Sequence, residues 1–212
     1  MIEEIVEEVY QIDMQTGVEP YRAFLFNDRT PTLFDTGSEE TVETLCSELD
    51  ELGIVPERLI ITHADFDHVG GFDVIAERYN PETWVPEEST LDANVRPDHR
   101  FTHEETIAGF TAVHVPGHKL DNYAFVDEEA NVAVLGDVMI GSDRRGLPAG
   151  YFVMVEAIYS ENLIAAERYL ERLLEYDFEI GLVSHGTSVT TAARDKIEEY
   201  ITFPGQPEWP DA

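Results

Sequence analysis

Short apolar runs separated by turn residues set the pattern of the first half of the chain. Runs typical of strands lie at Val6 to Tyr10, Ala23 to Phe26, Thr32 to Phe34 and Leu59 to Thr62. Between them, Ser38 followed by two glutamates predicts an N-cap and first turn of a helix that continues to about Leu52. A Gly70-Gly71 pair opens a second helical stretch that reaches about Tyr79.

The second half repeats the alternation of strands and helices. Runs typical of strands lie at Thr111 to Val115, Tyr123 to Val126, Val132 to Leu135 and Glu179 to Ser184. Ser160 is predicted to cap a helix whose apolar positions recur at helical spacing through Leu174, and a last helix is predicted over Thr191 to Tyr200. Strands and helices in both halves predict an α+β fold with two mixed β-sheets packed face to face and helices outside.

Length and composition favour one domain. The chain has 212 residues, 43% of them hydrophobic, which is typical of a globular protein. We predict a single domain over residues 1–203 and an extended tail over 204–212, where three prolines exclude a helix. Neither an apolar run of about 18 residues nor a cationic leader is visible, so we predict a cytoplasmic protein that does not contact membranes.

The charge of the chain is strongly acidic. Asp and Glu number 44 against 13 Lys and Arg, a formal net charge of −31, and only two of the cations are lysines. Such self-repulsion is largely screened in molar salt, where the Debye length is about 3 Å. The excess of acid with scarce lysine favours a halophilic, haloarchaeal protein; an acidic mesophilic protein is the other interpretation.

The segment from Thr62 to Gly71 carries the densest candidate chemistry. Four side chains able to bind a metal fall within six residues directly after a predicted buried strand: His63, Asp65, Asp67 and His68. Imidazole and carboxylate groups together suit divalent cations. The other interpretation is a polar loop whose aspartates cap the next helix. The only cysteine is Cys46, so a metal site would use His and carboxylate ligands.

Three further candidates each follow the end of a predicted strand. His118 follows Pro116-Gly117, Asp137 follows Gly136, and His185 precedes Gly186. Strand ends along one edge of a sheet are where binding groups collect. The recurrence of this arrangement predicts that the three side chains belong to the same site as the first cluster.

These residues resemble those of the metallo-β-lactamase superfamily, from the Asp35-Thr36-Gly37 turn to the Ser184-His185-Gly186 segment. The resemblance implies an αβ/βα sandwich with a two-metal site. It also implies a division of ligands: His63 and His118 on the first metal, Asp67, His68 and His185 on the second, and Asp137 bridging the two. Asp67 is expected to take part in catalysis as well.

Asp65 stands where this superfamily carries its second histidine. An oxygen ligand there favours harder cations than an imidazole-rich pocket does, so manganese and iron are plausible beside the zinc that the family implies. A carboxylate at this position also occurs in the diiron flavoprotein branch. If Asp65 points away, the first metal is instead weakly held or absent.

The expected chemistry is hydrolysis by a metal-bridged hydroxide, because two metal ions that share a water lower its pKa. Three scarce cations near the ligand segments, Lys119, Arg144 and Arg145, favour an anionic substrate such as a phosphodiester, including nuclease-type cleavage of nucleic-acid ends, or an acidic ester. These cations could instead offset local acid density.

Two alternatives stay open. One is a glyoxalase II-like hydrolase of thioesters, esters or lactones, and the other is a catalytically idle metal-binding or interaction protein. The sequence leaves the oligomeric state open, a homodimer included.

Overall fold

The structure is a computed structural model that describes residues 1–15 and 20–203. The chain divides into two compact units, Met1–Ala112 and Val113–Ala212. The predicted tail over 204–212 lies outside the described residues, and the assignment of one domain to residues 1–203 stays a prediction. Each unit has a hydrophobic core of its own.

The first unit carries a mixed sheet of seven strands that follow one another in chain order. The strands are β1 (Ile2–Val6), β2 (Val9–Gln15), β3 (Pro20–Phe26), β4 (Thr32–Phe34), β5 (Arg58–Ile60), β6 (Glu82–Pro86) and β7 (His99–Phe101). Neighbours from β1 to β4 pair antiparallel, and neighbours from β4 to β7 pair parallel. The parallel connections contain three helices: α1 (Val42–Leu52), α2 (Phe66–Val69) and α3 (Phe72–Tyr79).

Helix α1 shows why this half folds as it does. Its buried residues recur at helical spacing and pack into the core of the first unit: Val42, Leu45, Cys46 and Leu49. Gly53 ends the helix in the left-handed conformation at φ 68°. The predicted N-cap at Ser38 is wrong, because Ser38 lies in a preceding turn and its carbonyl accepts from the amides of Thr41 and Val42.

The strands of a second mixed sheet are β8 (Thr106–Ile107), β9 (Phe110–His114), β10 (Tyr123–Asp127), β11 (Val132–Gly136) and β14 (Ile180–Val183). Their order in the sheet is β14-β11-β10-β9-β8, and the boundary between the units falls within β9. Strand β11 pairs antiparallel with β10 and parallel with β14. A separate two-stranded sheet joins β12 (Ile140–Gly141) to β13 (Phe152–Val153).

Helices α4 (Leu163–Tyr169) and α5 (Ala193–Ile201) complete the second unit. The predicted cap at Ser160 is wrong, because the side chain of Asn162 accepts the amide of Ala165 at 3.0 Å. The helix is also shorter than predicted, since the chain tightens into a 3₁₀ turn over Leu170–Glu175. Buried Leu170 and Leu173 still pack into the core of this unit.

The two mixed sheets with helices confirm the predicted fold class. The predicted strand over Val6 to Tyr10 is wrong, because β1 and β2 meet there in a turn where Glu8 has φ 63°. Strands β6 and β7 were not predicted. Across residues 1–15 and 20–203, no helix is both long enough and apolar enough to span a membrane.

Asp73 ties α3 to the segment before β7 and gives a prediction about acid stability. Burial alone would raise the pKa of the Asp73 carboxyl, but hydrogen bonds from the amides of Asn94 and Val95 and from the Asn94 side chain hold it below its ordinary value. Its folded-state pKa is therefore lower than its unfolded value of about 3.9. The stability it contributes is present above that value and is lost as the pH falls through the folded pKa.

We expect Asp73→Asn to lower the free energy of unfolding by about 1 kcal/mol at pH 7, a charge-assisted contribution reduced for partial exposure. Urea unfolding at pH 7 and at about pH 3 measures the effect, and the gap between variant and parent should narrow at the lower pH. Asp92→Asn, an exposed change on the same segment, is the control. A gap that does not depend on pH would contradict the role of the Asp73 charge.

Candidate metal centre

The parallel pairing of β4 with β5 brings two strand ends to one edge of the first sheet. The chain leaves β4 at Asp35 and leaves β5 just before Thr62 and His63. Because neighbouring parallel strands end on the same side, polar residues 27 positions apart in sequence become neighbours, and the Thr62 amide donates to Asp35 Oδ1 at 2.8 Å.

Asp35 makes several of the hydrogen bonds at this edge of the sheet. Its carboxylate is 2% exposed, and Oδ2 accepts both the Thr62 hydroxyl at 2.8 Å and His68 Nδ1 at 2.8 Å. The backbone of Asp35 has φ 63°, a left-handed conformation that Asp tolerates better than most residues. The turn after β4 thus aims the carboxylate back at the segment after β5.

The same network assigns the ring nitrogens of the two histidines. The Nδ1–H of His68 donates to Asp35, and Nδ1 of His63 lies 3.1 Å from the Thr62 hydroxyl, which can accept its proton. In these tautomers Nε2 of each ring carries the lone pair that a metal needs. The rings lie 4.0 Å apart between centroids, and both are buried. The orientation in which these contacts hold the two rings suits ligation of a cation.

The two aspartates of the segment lie beside these rings. His63 Nε2 is 3.9 Å from Asp65 Oδ2, and a ligand atom of Asp67 lies within 4.8 Å of one from His68. Asp65 and Asp67 are half-buried, whereas Phe66 between them is exposed. Within the first unit the structure therefore groups two imidazoles and two carboxylates, and Asp65 lies beside His63 rather than apart from it.

Thr36, directly after Asp35, holds the end of the segment. Its amide and hydroxyl donate to the His68 carbonyl at 2.7 and 2.9 Å, and its hydroxyl accepts from the Gly71 amide. A Cβ on Gly71 would lie 2.5 Å from the Val42 side chain and 2.7 Å from the Thr36 carbonyl. The close approach of helix α1 therefore requires glycine here.

The second unit builds its own group of candidate ligands by the same topology. Strands β11 and β14 are parallel neighbours, and Asp137 and His185 follow their ends. Asp137 Oδ2 lies 3.6 Å from His185 Nε2 and 3.6 Å from His118 Nε2. These separations exceed a hydrogen bond and are close to the roughly 3.3 Å between two tetrahedral ligands with metal bonds of about 2.0–2.1 Å.

The turn that carries His185 is clamped by the segment after β12. The carboxylate of Asp143 accepts the amide and the hydroxyl of Thr187 at 2.8 and 2.9 Å, and the Gly141 amide donates to the His185 carbonyl at 2.9 Å. A Cβ on Gly186 would lie 2.7 Å from the Gly141 carbonyl, so the two backbones meet without side chains. Asp143 therefore fixes the position of a candidate ligand.

The three predicted substrate contacts lie in the second unit. Arg145 is engaged within its own loop, since it pairs with Glu156 at 3.2 Å and donates to the Met154 carbonyl at 2.9 Å. Arg144 and Lys119 are half-exposed. The role of these three cations in substrate binding stays a prediction.

The donor sets of both units are consistent with divalent metal ions. Together they comprise four imidazoles and three carboxylates: His63, Asp65, Asp67 and His68 in the first unit, and His118, Asp137 and His185 in the second. Imidazole and carboxylate donors are those that Zn²⁺, Mn²⁺ and iron accept.

The fold and the donor sets together define a class of metal-dependent hydrolases. The family model described as "Metallo-beta-lactamase superfamily" matches residues 16–185. The chain therefore belongs to the metallo-β-lactamase superfamily and is one of its metallo-hydrolases, with a His/Asp ligand set of the dinuclear type.

Curated relatives are similar over different shares of their length. The hydroxyacylglutathione hydrolase GloC of Haemophilus influenzae is 27% identical over 86% of this chain and 95% of its own. The probable metallo-hydrolase YqgX of Bacillus subtilis is 26% identical over 60% of this chain and 70% of its own. The lactamase-like protein adaB of Aspergillus niger is 31% identical over 80% of this chain, which spans half of adaB.

Solved structures show the same fold. The DIM-1 metallo-beta-lactamase superposes with a TM-score of 0.74 at 16% identity, covering 95% of this chain and 96% of its own. The protein TTHA1623, solved in a di-iron-bound form, superposes with a TM-score of 0.64 at 22% identity, covering 84% and 92%. At these identities the likeness shows the fold alone.

Sequence reasoning missed Asp35 as the residue that orients His68. The available signal was a polar residue at the end of a strand that pairs in parallel with the ligand-bearing strand, but that pairing is visible only in the fold. Buried carboxylates that hold a ligating imidazole are a recurrent feature of metal sites.

We expect Asp35→Asn to weaken metal binding about 10- to 100-fold, because an amide cannot accept the same hydrogen bonds as the carboxylate. Asn also tolerates the left-handed backbone at this position. Competition with a chelator of known affinity measures the change, and circular dichroism checks the fold. Asp28→Asn, an exposed change in the same unit, is the control. Equal affinity in the Asp35 variant and the parent would contradict the orienting role.

Proposed function

We propose that the chain is a dinuclear hydrolase of small carboxylic thioesters or esters that carry a negative charge. The observation that supports it most is the pair of ligand sets, one after the strand ends of each mixed sheet. In this proposal the groups that would hold the divalent ions are His63, Asp65, Asp67 and His68 in the first unit and His118, Asp137 and His185 in the second.

The charge of the ligand set supports binding of divalent cations. Three carboxylates give the ligand set a formal charge of −3 when its imidazoles are neutral. Charge held away from water is costly unless it is compensated, and divalent cations would supply the compensating positive charge. Asp65 contributes an oxygen donor beside His63, which favours manganese or iron in that position over the zinc expected from the family.

Bound metal ions would lower the pKa of water and polarise the scissile bond. The residues of the chain supply the geometry for that chemistry. Asp35 and Thr62 hold the rings of His63 and His68 in the ligating tautomer, and Asp143 holds the turn of His185. Asp67 is proposed to act in catalysis as well as in binding metal.

The thioester proposal is supported by the similarity to hydroxyacylglutathione hydrolase GloC, which extends over 95% of that protein. A negative charge on the substrate would suit Lys119 and Arg144, which follow the candidate ligands His118 and Asp137 along the chain. A phosphodiester or a nucleic-acid end carries the same type of charge and is the competing substrate class. A catalytically idle metal-binding protein is the remaining alternative.

We expect about two metal ions per chain by elemental analysis, and we expect Asp65→His to shift the preference from manganese or iron toward zinc. Competition among the three metals before and after the substitution measures the shift, with Asp28→His as the control for an added surface imidazole. An unchanged preference and stoichiometry would mean that Asp65 is not a ligand. A preparation that is active without metal would overturn the dinuclear proposal.

The substrate class is tested by comparing three probes that share assay conditions: a glutathione thioester, the N-acetylcysteamine thioester of the same acid, and bis-p-nitrophenyl phosphate. We expect the glutathione thioester to give the highest kcat/KM. Replacing Lys119 and Arg144 by alanine should lower that value roughly 10- to 150-fold and spare the neutral thioester, because a charge-assisted contact is lost.

Arg168→Ala, an exposed change on α4, is the matched control for the loss of positive charge. Faster hydrolysis of the phosphodiester would replace the thioester proposal with the competing class. Equal losses on both thioesters would show damage to the site rather than lost recognition of charge. No turnover of any probe by the metal-loaded protein would favour the idle alternative.

A further inference from the structure

The first unit contains a groove that begins at the segment of candidate ligands. Its volume is about 980 Å³, at the upper end of the range for sites that bind small molecules. Ala64 and Phe66, which alternate with His63, Asp65 and Asp67 along the chain, are part of its lining. A molecule held in the groove would therefore lie near the segment that carries the candidate ligands of the first unit, while the described lining includes none of those ligands themselves.

The lining of the groove is mixed, and about half of it is apolar. It includes three aromatic rings and three aliphatic side chains: Tyr21, Phe66, Phe72, Val69, Val74 and Leu91. Phe66 is 68% exposed even though it lies on a short helix beside buried ligands, and its ring meets Tyr21 edge to face at 6.4 Å. An exposed phenyl group at the mouth of a groove favours an apolar occupant, since covering it removes apolar surface from water.

The charged residues of the lining disfavour an anionic occupant. Four carboxylates border the groove, from Glu39, Glu40, Asp73 and Asp92, and none of the described lining residues is a lysine, arginine or histidine. The Asp73 carboxylate accepts hydrogen bonds from the backbone amides of Asn94 and Val95. The other three carboxylates are exposed to solvent. They would repel an anionic occupant, but an uncharged group could lie against the apolar side chains of the groove.

We propose that this groove is the acyl subsite of the enzyme, and that it binds an uncharged apolar acyl or aryl group of the substrate. The inference rests on the proposed function and deepens it. The negative charge of the substrate would then belong to its leaving group, while the acyl group that enters the groove carries none.

The acyl group is tested with N-acetylcysteamine thioesters of the acetyl, butanoyl and hexanoyl series. We expect kcat/KM to rise about fourfold per added methylene, because each buried methylene contributes about 0.8 kcal/mol. A hexanoyl chain that ends in a carboxylate should not show this increase in kcat/KM. A chain that ends in trimethylammonium should have a kcat/KM no higher than that of the neutral chain.

Phe66→Ala should flatten the dependence on chain length and lower kcat/KM for the hexanoyl thioester about tenfold, with little change for acetyl. Phe203→Ala is the matched control, since Phe203 is also 68% exposed and does not line the groove. Leu91→Ala, outside the ligand segment, should act in the same direction as Phe66→Ala. Elemental analysis of each variant checks that the metal content is unchanged.

Binding of the non-hydrolysable S-hexyl thioether of N-acetylcysteamine, measured by calorimetry, separates this inference from the proposed function. If no thioester is hydrolysed but the thioether binds and Phe66→Ala weakens it about tenfold, the groove stands and the proposed function fails. Rates and affinities that do not depend on the length of the acyl chain would contradict the proposed acyl subsite. So would equal losses in the Phe66 and Phe203 variants, or a preference for the charged chains.

Discussion

The ligand set of the first unit depends on the hydrogen bonds that the buried carboxylate of Asp35 accepts. Asp35 lies where β4 ends and bonds to Thr62 and His68 of the segment that follows β5. Parallel pairing of the two strands brings these residues together, and the left-handed turn at Asp35 points the carboxylate toward them. Without the pairing, Asp35 would be a polar turn residue; without the carboxylate, the His68 ring would lose the partner that selects its tautomer.

Much of the candidate site could be predicted because metal chemistry restricts residue types. His63, Asp67 and His68 are recognisable from their spacing, and Asp137 and His185 from their position after apolar runs. Such runs mark buried strands, and residues that follow parallel strands collect at one edge. The second unit shows this directly, since Asp137 and His185 follow the adjacent parallel strands β11 and β14. The local sequence pattern therefore predicts a ligand where that ligand directly follows an apolar run typical of a buried strand.

What could not be predicted depends on pairings between distant segments. Asp35 acquires its role from a partner 33 residues away, and the helix expected from Ser38 begins at Val42 because the Ser38 carbonyl is used in a turn. Strand β7, with the short sequence His-Arg-Phe, has no alternation of its own and is a strand because β6 pairs with it. The groove likewise combines segments from Tyr21 to Ala93, so no single segment reveals it.

The acidity of the chain bears on how a substrate is recognised. With a net charge of −31, a lone cation is readily neutralised by a nearby carboxylate, as the pairing of Arg145 with Glu156 shows. Salt screens exposed charges over short distances, whereas burial of apolar surface persists in salt and is strengthened by some anions. The halophilic interpretation stays a prediction, and the bacterial and fungal relatives lend it no support. Under either interpretation, the apolar side chains of the proposed acyl subsite would give this chain a means of selecting its substrate that does not depend on its scarce cations.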